Sequence, residues 1–491
     1  MQEHISLLLV VIPLITALIV AVLPRGILPW ASTLVATFIC VVLASMQLWE
    51  VINGGVISYE LGGWKPPWGI EYRIDTLNAF VALIVSGIAA ITLPYALLSA
   101  EKEIPPHQIP LFYSAFLLCF TGLLGITQTG DIFNVFVFLE ISSLSSYVLI
   151  SLGSKRQALT SSYQYLIMGT LGATFFLIGV GFIYSQTGTL NMADLARILP
   201  EVTELKTIHT GFAFILIGLA LKLALFPLHL WLPNAYTYAP SVITVFLSAT
   251  ATKVAVYVVI RILFYVMPSG FMATIPIGDF FVLLGIAGII IMSVYAIYQS
   301  NVKRLLAYSS VAQIGYMVLG IGLASTAGVT ATIIHLFNHA LMKGALFMAV
   351  GAIIYRIGSC RMDNIHGLGR QMPWTFGAIV IGGLSLIGVP GTAGFISKWY
   401  LVLAAIEQSA WISVAAILTG SLLAVIYVGR LIEALYFKPA TESQQNLKEA
   451  PILLLAPTWV LVFANIYFGL DTELTVGVSE QAAQALKAIV K

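Results

Sequence analysis

The chain has 491 residues, 59% of them hydrophobic and only 9% charged, with a formal net charge of +2. Soluble domains carry about a quarter charged residues, so this composition excludes an ordinary water-soluble protein. So much apolar surface needs lipid as its solvent, and no nucleic-acid partner is expected.

An apolar stretch of about 20 residues crosses the hydrocarbon core of a bilayer. Fourteen candidates occur, near 5–24, 29–49, 76–98, 109–127, 131–152, 160–185, 210–229, 240–266, 278–299, 303–323, 327–356, 373–406, 411–437 and 450–470. The expected fold is therefore an all-α integral membrane protein of about 14 transmembrane helices. The start, Met1-Gln2-Glu3-His4, lacks the basic flank of a signal peptide, so the first helix reads as retained. The longest polar interruptions are 51–75 and 186–209, and neither reads as a soluble domain.

Helix five, "DIFNVFVFLEISSLSSYVLI", carries Glu140, the one acidic residue well inside a predicted span, with serines at 142, 143, 145 and 146. Two readings stand: the serines let helices pack closely while the carboxyl keeps its proton, or Glu140 pairs with a buried cation. Four lysines lie inside predicted spans: Lys222, Lys253, Lys343 and Lys398. A cation at the bilayer centre costs roughly 2.5–3.5 kcal/mol even on a lenient insertion scale, so each needs a wet interior or a partner. Burial disfavours the charged form and a neighbouring opposite charge restores it, which makes Glu140 with Lys222 a switch of proton affinity.

Helix seven, "GFAFILIGLALKLALFPLHLWLPNAY", places Lys222 just before Pro227, which cannot donate to the helix ladder. Freed carbonyls at membrane depth are tolerated only against protein or water, so a break with a polar cavity beside Lys222 is expected. His229, two residues on, is a candidate gate for it together with Pro227. In helix eight Lys253 either snorkels to an interface or bridges Lys222 to helix eleven. Helix eleven, "IIHLFNHALMKGALFM", repeats His335, His339 and Lys343 every fourth residue, one stripe about 12 Å deep. Two histidines so spaced can also chelate zinc, but no third ligand is evident nearby, so no metal site is expected and a water-linked proton relay is the reading. Helix twelve, "GGLSLIGVPGTAGFISKWYLVLAA", is interrupted by Gly388, Pro390, Gly391 and Gly394 before Lys398, with Pro390 a second candidate gate.

Broken helices seven and twelve, each with a lysine and five spans apart, suggest two inverted five-helix repeats. The division expected is 1–108 for helices one to three, 109–266 and 278–437 for the repeats, and 450–491 for helix fourteen and the tail. Outside the spans, odd-numbered loops hold twelve Lys and Arg (Lys102, Lys155 and Lys303 among them) and even-numbered loops seven, including Arg261, Lys487 and Lys491. By the positive-inside rule the odd loops face the cytoplasm and both termini face out. Cys40, Cys119 and Cys360 are too scattered for a metal or redox motif, and no nucleotide fingerprint occurs, so no cofactor is expected.

"ALKLALFPLHLWLPNAYTYAPS", "NVKRLLAYSSVAQIGYM", "HLFNHALMKGALF" and "GVPGTAGFISKW" together resemble the antiporter-like proton-translocating membrane subunits shared by respiratory complex I, membrane-bound hydrogenases and Mrp-type multisubunit cation/proton antiporters. The pattern is most similar to the D subunit of the Mrp type. The resemblance implies that Glu140 of helix five pairs with Lys222, and that Lys253, His335, His339, Lys343 and Lys398 continue a proton path. It also implies a place in a bacterial plasma membrane among other subunits of a hetero-oligomeric antiporter exchanging protons for a cation such as Na+. The alternative is a pump module of a complex I-like dehydrogenase or a hydrogenase. Two positions depart from the pattern: Asn234 stands where many relatives carry aspartate, and Gly391 where many carry a second proline.

Overall fold

A computed structural model describes residues 4–268, 271, 275–439 and 447–489. Residues 1–3 of the predicted start, Lys491 of the predicted tail and the side chain of Lys487 lie outside the described residues. The chain begins with single spans α1 (Ile5–Val22) and α2 (Ile27–Gly54), a hairpin of β1 (Ile57–Glu60) and β2 (Glu71–Ile74), then α3 (Thr76–Glu103), α4 (Ile109–Gln128), α5 (Ile132–Ser151) and α6 (Gln157–Thr187). A short amphipathic α7 (Met192–Val202) precedes α8 (Lys206–Leu223), α9 (Trp231–Tyr238), α10 (Ser241–Ala249) and α11 (Ala251–Arg261). The second half comprises α12 (Ile277–Ile297), α13 (Val302–Gly322), α14 (Thr326–Ile357), α15 (Pro373–Ile387), α16 (Ala393–Glu407) and α17 (Trp411–Tyr436), followed by α18 (Ile452–Leu470) and a tail helix α19 (Glu473–Ile489).

Among the described residues 13 helical segments are long and apolar enough to cross a membrane. The remaining predicted span, 373–406, is two 15-residue helices, α15 and α16, joined by a turn in which Gly388 and Gly391 take φ of 92° and 84°. A proline cannot adopt a positive φ, so this turn depends on the glycine at 391. The helix-seven break falls at Leu223, where α8 ends in left-handed Ala224 with φ 59°. Pro227 dictates that position, since its ring would clash with the carbonyl four residues back, that of Leu223. The span 240–266, expected to be one helix, is interrupted at Thr250 (φ −126°, ψ −59°) and closes in a π-helical turn over Ile262–Val266.

The interruption 51–75 contains the antiparallel hairpin, in register Ile57↔Ile74 to Glu60↔Glu71, and 186–209 contains α7. Asp131 and Asn301 each cap the following helix, accepting from Asn134 N and Arg304 N. Around both caps the same backbone pattern recurs. Ile132 N donates to Leu190 O at 2.9 Å and Met192 N to Gly130 O at 2.8 Å; correspondingly Val302 N donates to Cys360 O at 2.9 Å and Met362 N to Ser300 O at 2.8 Å. The first set joins even-numbered loops and the second odd-numbered ones.

The 32-residue α14 is the hub of the bundle, packed against α3, α10, α13, α15, α16, α18 and α19. It is buried from Gly328 to Ile353 apart from the partly buried Phe337. Two basic residues assigned to loops are interior. Arg261 forks onto Asp75, Nη1 to Oδ2 at 2.6 Å and Nη2 to Oδ1 at 2.9 Å. Lys303 is buried and donates to Ala239 O at 2.8 Å. Removing one from each side leaves the excess on the odd loops unchanged.

Candidate functional site

The last turn of α8 carries Lys222 to a position facing α5. Its ammonium donates to Glu140 Oε1 at 3.3 Å and to Ser143 Oγ at 2.7 Å. The Lys222 side chain is 5% exposed and that of Glu140 23%, so the carboxylate reaches the less enclosed side of the pair. Of the four serines near Glu140 only Ser143 meets the lysine. Ser142, Ser145 and Ser146 return their hydroxyls to the carbonyls of Leu139, Ile141 and Ser142, a packing role. The break beyond Lys222 satisfies its own polar groups: Leu225 N bonds Ala220 O at 2.9 Å, and Trp231 Nε1 reaches Leu221 O at 2.9 Å.

Pro227 and Phe226 border a cavity of about 500 Å³ whose lining is apolar, including Ala220, Leu225 and Phe281. The polar side of the break belongs to His229, which lines a separate cavity of about 500 Å³ with Gln164, Asn234 and Arg304. Among the described residues the buried His229 Nδ1 has no hydrogen-bond partner, and its ring stacks on Phe226 at 5.5 Å. Asn234 donates to Gln164 at 2.9 Å, so an amide pair lines this cavity.

Lys253 does not snorkel. It is fully buried, and its ammonium turns back to Ser248 O, a carbonyl released by the break at Thr250, and to Thr252 Oγ1 at 3.4 Å. Its helix, α11, packs against α14, which carries His335, His339 and Lys343. The two imidazoles of α14 lie parallel, centroids 5.9 Å apart with an interplanar angle of 3°. His335 Nδ1 meets Ser397 Oγ at 2.7 Å. Among the described residues His335 Nε2 and both ring nitrogens of His339 are buried without protein partners, which leaves three sites able to give or accept a proton through water. One turn further, Lys343 donates to Leu306 O at 2.9 Å and Ser309 Oγ at 2.5 Å.

Lys398, beside Ser397 on α16, caps the other half of the broken helix. It donates to Leu386 O and Ile387 O, both at 2.9 Å, and to Ser421 Oγ at 3.1 Å, with the Tyr316 ring centroid 4.9 Å away. The carbonyls are the final ones of α15, the negative end of its dipole. Pro390, in the same turn, is exposed.

The predicted residues thus fall into two groups. Glu140 and Lys222 form one, Lys253 with His335, His339, Lys343 and Lys398 the other, and among the described residues no hydrogen bond joins Lys222 to Lys253. The sequence reading named Ser143 only among serines that could pack helices closely, and it missed the hydroxyls of Thr252, Ser309, Ser397 and Ser421 and the carbonyls of Ser248, Leu306, Leu386 and Ile387. Only the adjacency of Ser397 to Lys398 and the spacing of Ser143 from Glu140 gave a signal. No His, Cys, Asp or Glu joins the two imidazoles in a group able to hold a metal among the described residues.

Residues 129–424 match the family described as NADH:quinone oxidoreductase/Mrp antiporter, TM. The N subunit of the NADH-quinone oxidoreductase of Desulforudis audaxviator is 40% identical, over 96% of this chain and 97% of that protein. The D subunit of the Na(+)/H(+) antiporter of Alkalihalophilus pseudofirmus is 31% identical, over 89% and 87%. Among solved structures, a chain of the Mrp complex from Dietzia sp. superposes with a TM-score of 0.90 at 26% identity, covering 100% of this chain and 99% of that one. A chain of the membrane-bound sulfane sulfur reductase, an archaeal respiratory complex, gives 0.90 at 32% identity, covering 99% of each. The chain belongs to the NADH:quinone oxidoreductase/Mrp antiporter family of transmembrane proteins.

Proposed function

We propose that the chain is the proton-translocating membrane subunit of a multisubunit monovalent cation/proton antiporter, taking protons along the row Glu140, Lys222, Lys253, His335, His339, Lys343 and Lys398. The observation that carries this reading is the Lys222 ammonium held in the membrane interior between a carboxylate and a hydroxyl. A buried Lys–Glu pair changes its proton affinity whenever the pair is loosened, and lysine, unlike arginine, can release its proton. Protonation at one amine changes the partner available to the next, so charge moves in steps. No bond other than those to protons is made or broken, and no cofactor enters the scheme. His229, Pro227 and Pro390 stand at the two breaks, where hydration of the row would be gated.

The partners proposed are other membrane subunits, and the counter-ion Na+, after the antiporter relatives. We place the chain in a bacterial plasma membrane with its odd loops, richer in Lys and Arg, toward the cytoplasm and both termini outside. The matching backbone patterns around Asp131 and Asn301, on opposite loop sets, support an inverted duplication of 109–266 in 278–437.

A second reading, a proton-pumping membrane component of a redox-driven complex, is favoured by the 40% identity to the N subunit of an NADH-quinone oxidoreductase. The proteins that co-purify with the native chain decide between them: small membrane proteins for the antiporter, iron–sulfur proteins for the redox complex. In membrane vesicles, Lys222→Ala and Glu140→Ala should each reduce cation/proton exchange to background while the complex still assembles. Lys222→Arg, which keeps the charge but holds its proton, should fail as well. Near-normal exchange in either alanine variant contradicts the pairing, and in Lys222→Arg it contradicts proton release by the lysine.

A further inference from the structure

Lys303, on the first turn of α13, has no part in the row described above. Its ammonium is buried, has no salt-bridge partner among the described residues, and donates to one carbonyl, Ala239 O at 2.8 Å. An ammonium has three donors to place. Lys303 lines a cavity of about 180 Å³ with a mixed polar and apolar lining, whose other titratable groups are Lys102 and Glu103 at the end of α3, Lys155 in the α5–α6 loop, Tyr238 at the end of α9 and Cys360 beyond α14. All of these lie at the odd-loop face. At about 30 Å³ of liquid volume per molecule, the space admits several waters. Glu103 is already engaged, accepting from Ser241 N at 3.0 Å and from Ser99 Oγ at 3.2 Å.

The cavity sits close beneath the row. Leu306 follows Lys303 on the same face of α13, about 4.5 Å further along the axis, and Leu306 O is the carbonyl that accepts from Lys343 at 2.9 Å. Ser309, a turn beyond, holds the same amine at 2.5 Å. One helical turn therefore separates a cavity large enough for water at the odd-loop face from the inner end of the His335–His339–Lys343 stripe.

We propose that this cavity is the port through which the odd-loop face exchanges protons with the row, with Lys303 as the relay and Lys343 as the first acceptor. A hydronium in the cavity gives its proton to the neutral Lys303 amine. Lys303 passes a proton across the Leu306–Ser309 turn to the neutral Lys343 amine and is left neutral, so one proton and one positive charge move inward together. The port rests on the reading of the row as a proton path.

The test uses vesicles carrying the whole native assembly. Methyl methanethiosulfonate converts the Cys360 thiol to a methyl disulfide, with methanesulfinate leaving, and so fills part of the cavity in a protein already folded. The expected result is a loss of exchange that dithiothreitol reverses and that Cys360→Ala does not show. Lys303→Met should slow exchange by roughly a hundredfold or more, the scale of a lost proton-transfer group, with its pH profile displaced toward acid. Failure of Cys360 to react, unchanged exchange after it has reacted, or a wild-type rate and pH profile in Lys303→Met overturns the port. If Lys222→Ala abolishes exchange while those results hold, the port alone fails; normal exchange in Lys222→Ala removes the row itself.

Discussion

Lys222, Lys253, Lys343 and Lys398 meet the cost of a cation away from bulk water with different oxygens. Lys222 has a carboxylate and a hydroxyl, Lys253 and Lys343 each a carbonyl and a hydroxyl, and Lys398 two helix-terminal carbonyls, a hydroxyl and an aromatic face. Hydrogen bonds to charged groups contribute about 1.5–3 kcal/mol, so Ser143→Ala should lower exchange by roughly tenfold without affecting assembly, measured as initial rate in vesicles against subunit content. A residue outside the spans supplies a pH test. Burial alone would raise the Asp75 carboxyl, but the Arg261 charge and hydrogen bonds from Arg261, Asn78 N and Leu77 N outweigh it and hold the group below its ordinary value. This carboxylate therefore contributes stability above its unfolded value of about 4, and the contribution is lost as pH falls through the lowered folded value. Arg261→Met strands the charge and should cost about 3–5 kcal/mol at neutral pH. Thermal unfolding of solubilised protein should show the gap to wild type narrowing in strong acid, where Asp75 is neutral in the variant. The lysines were legible in the sequence because charge inside an apolar run has so few bland explanations. Their hydroxyl partners were not, since a membrane serine serves close packing as readily as ion binding, and at 142, 145 and 146 it does.

At the scale of elements, position is controlled by close helix contact as well as by breaks. A Cβ on Gly218 would stand 2.5 Å from Gly172 O and 2.8 Å from Phe176 N, one turn before Lys222. Gly218→Ala should therefore push α8 from α6 and slow exchange while removing no titratable group; a rate equal to wild type would mean that the placement of Lys222 tolerates such a shift. The proline and glycine breaks could be read directly, since Pro227 and the run from Gly388 to Gly391 defeat a helix by covalent geometry. The interruption at Thr250 could not, because nothing in "LSATATKVAVYVVIR" forbids a continuous helix. It is tertiary packing that frees Ser248 O for Lys253. The hairpin and α7 were equally hidden in polar loops whose structure depends on docking against Thr129 and Gly130.

For the whole molecule the question is whether the two groups of titratable side chains act as one row. Glu140 with Lys222 sits on α5 and α8, and the histidine stripe on the central α14; Lys253, on the interrupted span between them, is the only predicted bridge. Span count and hydrophobic topology were readable because lipid demands long apolar segments, whereas continuity depends on how side chains turn inside the bundle. Lys253 has no salt-bridge partner among the described residues, so its removal strands no opposite charge, and Lys253→Met separates conduction from folding. The decisive measurement is cation-driven proton movement by the reconstituted Lys253→Met complex. The account predicts a protein as stable as wild type whose exchange has fallen to background, and exchange near the wild-type rate would contradict it.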